Sequence, residues 1–309
     1  MNERTTSGPG TGTFENAKMD FSRFLSKQKV ILLDGAMGTQ LDKLGLMSRG
    51  GNNLDNPQVV LQIHREYAQS GCHALTTNTL TMNRIYIETH NVGVSVRKVN
   101  RAGAELARQA ADKGQYVLGD ISSTGQLLEP YGTYAESQFY DAFTEQAGVL
   151  AESGVDGFII ETMIDLREAL CAVRACKQNF SLPVIASIAF AAEKNGGRTV
   201  MGNSAQDCAR NLADAGANAV GANCGDLDPF QMAAVVSILH QAVSMPILAQ
   251  PNAGRPRLVE NTTVFDMSPA EFAKGIEKCL QAGASIVGGC CGTTPEHIRA
   301  VAELIAKRG

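Results

Sequence analysis

Three cysteines stand where packing alone does not account for them. Cys290 and Cys291 are adjacent in the stretch GGCCGTT, and Cys224 closes the stretch AVGANC 66 positions before Cys290. Two vicinal thiols have three readings: a structural accident, a redox pair, or two ligands of one metal. Neighbouring side chains on a regular strand point to opposite faces, so the pair can share a ligand only where the strand breaks. Gly292 and Thr293-Thr294 supply such a break, and Gly288-Gly289 let the backbone approach a neighbour closely. A disulfide between adjacent residues is strained, which weakens the redox reading. If Cys224 reaches the same place, three thiols suit a borderline-soft ion, Zn2+ first, with a fourth position left open for chemistry. A helix opening at Pro295 would favour thiolates there. Cys72, Cys171, Cys176, Cys208 and Cys279 sit in apolar contexts and read as small buried hydrophobes.

The elements that must position these thiols are legible as short apolar runs alternating with helical patterns. Candidate strands are Val30–Ala36, His73–Thr79, Tyr116–Ser122, Gly157–Met163, Pro183–Phe190, Ala219–Cys224, Pro246–Asn252 and Ser285–Cys291. Several are continuously apolar, as strands buried on both faces are. Between them, Asn56-Pro57 opens a helix with Val60, Ile63 and Tyr67 on one face. Phe139, Phe143, Ala147 and Leu150 form a second apolar stripe, Ser268-Pro269-Ala270-Glu271 begins a third helix, and Thr294-Pro295 begins the last. Regular alternation of this kind predicts a single-domain α/β fold, a (βα)8 TIM barrel over residues 21–309, preceded by a disordered polar tail over residues 1–20. A doubly wound open sheet is the alternative. The runs end in Asp34, Asn78-Thr79, Asp120, Glu161, Cys224, Asn252 and Cys290-Cys291, so a barrel would collect them on its catalytic face.

Bulk properties exclude several classes. With 44% hydrophobic and 19% charged residues, the 309-residue chain can bury a full core. A formal net charge of −4 gives no reason to expect nucleic acid or an anionic membrane as partner. No apolar run reaches the roughly 18 residues of a membrane span, and no apolar segment marks a secretory signal. Eight cysteines without an export signal point to reduced thiols in the cytoplasm.

The stretches ILLDGAMGTQL, TTNTLTMNR, IIETM, GANCG, QPNAG and GGCCGTTPEHI resemble the homocysteine S-methyltransferase family, in particular the homocysteine-binding module of cobalamin-dependent methionine synthase. The similarity runs over roughly residues 25–307. It implies a (βα)8 barrel, a zinc held by Cys224, Cys290 and Cys291, and homocysteine as methyl acceptor. It also implies that Asp34 and Glu161 hold the amino group, and that backbone near Gly35 and Ala36 receives the carboxylate. Asn252 matches an asparagine that can fill the fourth zinc position, and Asn223 a residue lining the pocket. The chain has no Asp-x-His-x-x-Gly corrinoid signature, so methylcobalamin or another corrinoid is expected in trans, on a separate protein. Direct use of S-methylmethionine, S-adenosylmethionine or betaine is the alternative; the absence of Trp weakens the aromatic cage that betaine favours. A non-catalytic, thiol-rich zinc-binding or redox-responsive protein is the alternative from another class.

Overall fold

A computed structural model describes residues 18–47, 49–191, 197–259 and 262–308. Eight parallel strands form one sheet in the order β1-β10-β7-β6-β5-β4-β3-β2: β1 (Ile31–Leu32), β2 (Ala74–Thr76), β3 (Tyr116–Ile121), β4 (Gly157–Met163), β5 (Val184–Ile188), β6 (Ala219–Asn223), β7 (Ile247–Gln250) and β10 (Ile286–Val287). A bridge between Leu33 and Ala74 brings β1 beside β2 and closes the ring, reinforced by His73 N–H donating to the Leu32 carbonyl at 2.6 Å. The protein is a (βα)8 TIM barrel, not an open sheet. The strands are where the apolar runs place them, and β4 matches its expected span residue for residue.

Alternation along the strands sorts the core into two layers. Leu32, Ile160, Ala186, Val220 and Val287 face outward and pack on the helices. Leu33, Ala74, Leu118, Ile159, Ile185, Ala219, Leu248 and Ile286 face inward and fill the barrel. The helices follow the expected starts: Pro57–Ala68 buries Val60, Ile63 and Tyr67, and Glu136–Glu152 buries Phe139, Phe143, Ala147 and Leu150. Ser268 Oγ caps Pro269–Gln281 by accepting from Glu271 N–H, and Pro295–Ala306 is the last helix.

Two features were not expected. A helix, Phe21–Lys27, capped by Asp20, plugs the lower end of the barrel by inserting Phe21 and Leu25 into the inner core beside Tyr116. Residues 1–17 of the expected polar tail lie outside the described residues, but residues 18–20 belong to the body. Lys18 pairs with Asp156 at 3.1 Å, and Tyr116 Oη donates to the Met19 carbonyl at 2.7 Å. An antiparallel hairpin, β8 (Arg257–Val259) with β9 (Thr262–Val264), interrupts the β7–helix crossover. Its strands are three residues long and Leu258 is exposed, so it carries no burial signal to read.

Candidate active site at the barrel mouth

The thiol cluster forms because two strands stop abruptly. β6 ends at Asn223, and Cys224 and Gly225 both take left-handed backbone conformations, with φ of +53° and +68°. That turn breaks the alternation which would otherwise aim Cys224 away from the face Asn223 occupies. β10 ends at Val287, and the chain curls through Gly288–Gly289 into a turn closed by Gly292 at φ +81°. Cross-strand bonds hold the turn: Cys290 N–H donates to the Pro251 carbonyl and Ala253 N–H to the Cys291 carbonyl, each at 2.9 Å. The outcome joins residues remote in the chain. The sulfur atoms of Cys224, Cys290 and Cys291 lie within 4.8 Å of one another, with Cys224 and Cys291 3.9 Å apart.

A four-coordinate tetrahedral ion with sulfur at about 2.3 Å needs sulfur–sulfur separations of about 3.8 Å, so the trio fits one metal ion. All three thiols are free. Close thiols cannot all ionise without a cation: the hydrogen bonds from Cys224 and Cys290 hold the Cys291 thiol below its usual range, while contacts with Cys224 and Cys291 push Cys290 up. Asn252 adds a second observation. Its Nδ2 donates to the Gly225 carbonyl at 2.8 Å, whereas its buried Oδ1 has no partner among the described residues.

The three cysteines line a cavity of about 500 Å³ together with Gly35, Ala36, Thr76, Asp120, Glu161, Thr162 and Gln250. Glu161 reaches it through a distortion in β4. The register with β5 shifts between Ile160 and Met163, and Thr162 takes φ +58°. Asn223 pins that distortion: its Oδ1 accepts from Thr162 N–H and its Nδ2 donates to Thr162 Oγ1, both at 2.8 Å, while Nδ2 lies 3.9 Å from Cys290 Sγ. Asn223 therefore stands behind the wall rather than on it, as do Asn252 and Asp34. Both Asp34 oxygens are engaged by Thr76, from N–H at 2.9 Å and Oγ1 at 2.8 Å. Burial nevertheless raises the Asp34 carboxyl to about 7, against the lowering effect of those bonds. Burial, then Asp34 and Cys291, raise Glu161 to about 8.

The segment after β1 is stapled to the cysteine turn. Thr293 Oγ1 accepts from Ala36 N–H at 3.0 Å and donates to the Cys290 carbonyl at 2.7 Å. Tyr67 Oη donates to the Ala36 carbonyl at 2.8 Å, and Gln40 Nε2 to the Thr293 carbonyl at 2.6 Å. The Ala36 amide is thus already committed, while Gly35 borders both cavity and staple: a Cβ there would meet Thr293 Oγ1 at 2.7 Å. Sequence reading left Thr76, Gln250 and Thr293 out of the site. The signal for Gln250 was available in the inward parity of Leu248; nothing in the sequence marked Thr293 as a staple.

Fold and site together define a (βα)8 barrel with a three-thiol cluster and carboxylates in one cavity at its mouth. The model of the homocysteine S-methyltransferase family matches residues 31–305. Methionine synthase of Mycobacterium tuberculosis (strain ATCC 25618 / H37Rv) is 30% identical over 300 residues, covering 90% of this chain and 25% of that protein. Methionine synthase of Mycobacterium leprae (strain TN) is 30% identical over 301 residues, covering 91% and 24%. The chain spans about a quarter of the length of these curated relatives. Among solved structures, the metallated form of the homocysteine methyltransferase MmuM from Escherichia coli has a TM-score of 0.74 at 22% identity, covering 91% of this chain and 98% of that one. The carboxyl transferase domain of Rhizobium etli pyruvate carboxylase has a TM-score of 0.53 at 15% identity, covering 93% and 49%. At these identities the structures share the fold alone. The chain belongs to the homocysteine S-methyltransferase family.

Proposed function

We propose that the protein is a zinc-dependent homocysteine S-methyltransferase that forms methionine, with the methyl group delivered by a corrinoid carried outside these 309 residues. The observation that carries the reading is the convergence of Cys224, Cys290 and Cys291 on the wall of a cavity onto which Glu161 also opens. Those three thiolates would hold the metal, and Asn252 Oδ1, buried and without a partner, is the donor available for the fourth position before substrate binds. Bound there, zinc supplies the Lewis acidity that deprotonates an incoming thiol, while three anionic ligands leave that thiol nucleophilic.

The chain's own residues orient the acceptor. Glu161 takes the ammonium end, with Asp34 adding negative charge from behind Thr76. Gly35 and the backbone beside it meet the carboxylate, since the Ala36 amide is held by Thr293. Asn223 keeps Glu161 and Thr162 aimed by pinning the distortion in β4. The substrate sulfur then forms the new bond to the methyl carbon, and the donor leaves with the electron pair of the bond that breaks. Glu161 and Asp34 position the substrate and transfer no proton.

Metal analysis should find about one zinc per chain, as a site of this kind holds. Methionine formation is then assayed in parallel with methylcobalamin, S-methylmethionine, S-adenosylmethionine and betaine. The expected result is activity with methylcobalamin. Activity confined to S-methylmethionine would overturn the corrinoid donor. Bound zinc with no methionine from any donor would instead favour a non-catalytic zinc-binding protein.

A further inference from the structure

We propose that Asp120 is a second residue, beside Glu161, by which the pocket selects thiols bearing an α-ammonium group over thiols without one. The inference rests on the homocysteine reading and deepens it. Asp120 is only 5% exposed, lines the cavity, and its Oδ1 has no hydrogen-bond partner among the described residues. A buried carboxylate without a partner is costly to maintain unless a cation arrives to meet it.

The frame around it is rigid, so the free oxygen is not a consequence of slack. Asp120 N–H donates to Thr77 Oγ1 at 2.9 Å, and its carbonyl accepts from Thr79 Oγ1 at 2.7 Å. Gln146 Nε2 binds the Thr79 carbonyl at 2.9 Å behind them. Three side chains, Thr77, Thr79 and Gln146, thus fix the backbone of this strand end, and none of these bonds goes to the carboxylate. Asp34 differs, because Thr76 already occupies both of its oxygens.

Position defines what the oxygen can meet. β3 and β4 are neighbours, with Asp120 in register with Ile159. Glu161 is therefore two residues, about 7 Å along the strand, nearer the mouth. Asp120 sits deeper in the same cavity, at the inward-facing position just above Leu118. A primary ammonium has three donors in a compact head, enough to reach Asp120 and Glu161 together. Burial and the neighbouring Glu161 and Asp34 charges raise the Asp120 carboxyl well above its usual range, the response expected of an anionic cluster awaiting a cation.

The test is calorimetric binding of homocysteine and of 4-mercaptobutyrate, the same skeleton without the amino group, to the zinc-loaded full chain. Wild type is expected to bind homocysteine at least tenfold more tightly. D120N, an isosteric loss of charge, is expected to shrink that ratio tenfold or more. D120S serves as a second variant, and thermal unfolding with metal content confirms that each is folded. A folded D120N or D120S that keeps the wild-type ratio overturns the role of Asp120. Wild type that binds both thiols equally overturns the homocysteine reading itself.

Discussion

Leu118 and Asp120 face the same barrel interior, two residues apart on one strand, as do Ile159 and Glu161 on the next and Leu248 and Gln250 on β7. The lower members belong to a closed apolar core with no exposed surface. The upper members line a cavity, and two of them, Asp120 and Gln250, carry buried oxygens without partners among the described residues. Left-handed conformations at Thr162 and Cys224 belong to the upper region as well. One half of the barrel interior holds the fold, and the other half stores strain and unmet polar groups. The difference is produced by one step of strand alternation, which keeps the facing and changes the chemistry.

The comparison can be broken most severely at the thiols. C290A should abolish zinc retention and methionine formation together, read by metal analysis and by turnover; an active, zinc-free C290A would refute the ligand assignment. Moving down, I159A should cost about 2–5 kcal/mol of stability by denaturant titration while the metal content stays unchanged. Its neighbour E161Q should behave oppositely, weakening homocysteine binding about 10–100-fold, the range for a lost hydrogen bond to a charged group, with stability unchanged or improved. Equal losses of stability in I159A and E161Q would erase the distinction between the two regions. T293V should raise KM for homocysteine and cost about 1–3 kcal/mol, because it strips the partner from the Ala36 amide and the Cys290 carbonyl; T293S should recover most of both.

The smallest expected effect is a pH dependence. The Asp34 carboxyl is raised from 3.8 to about 7 by burial, so the folded state holds a proton that the unfolded chain releases earlier. Its contribution to stability is complete below the unfolded value and lost as pH rises through the folded one. The melting temperature of the metal-free protein should therefore fall more between pH 4 and 7 in wild type than in D34N. Equal slopes would mean that Asp34 is not desolvated as the structure has it.

Much of the fold was legible because buried parallel strands are apolar on both faces and helix starts carry Pro, Ser and Thr in fixed places. The family motifs likewise marked Cys224, Cys290, Cys291 and Glu161, all of which border the cavity. Asp34, Asn223 and Asn252 were marked too, but their placement behind the wall depends on partners more than 25 residues away, such as Thr76, Thr162 and Gly225. The plug helix and the exposed hairpin went unread, the first because seven residues give little periodicity and the second because it buries nothing.

By itself the sequence determined the alternation of strand and helix, the polar residue or thiol at seven of the eight strand ends and the three thiols among them, because periodicity and residue type are properties of the chain alone. Tertiary structure decided which of those polar ends share a cavity, which are already bonded, and that Cys224 meets Cys290 and Cys291. Those outcomes depend on barrel closure, on register between strands, and on left-handed turns at Thr162 and Cys224 that no local propensity would choose.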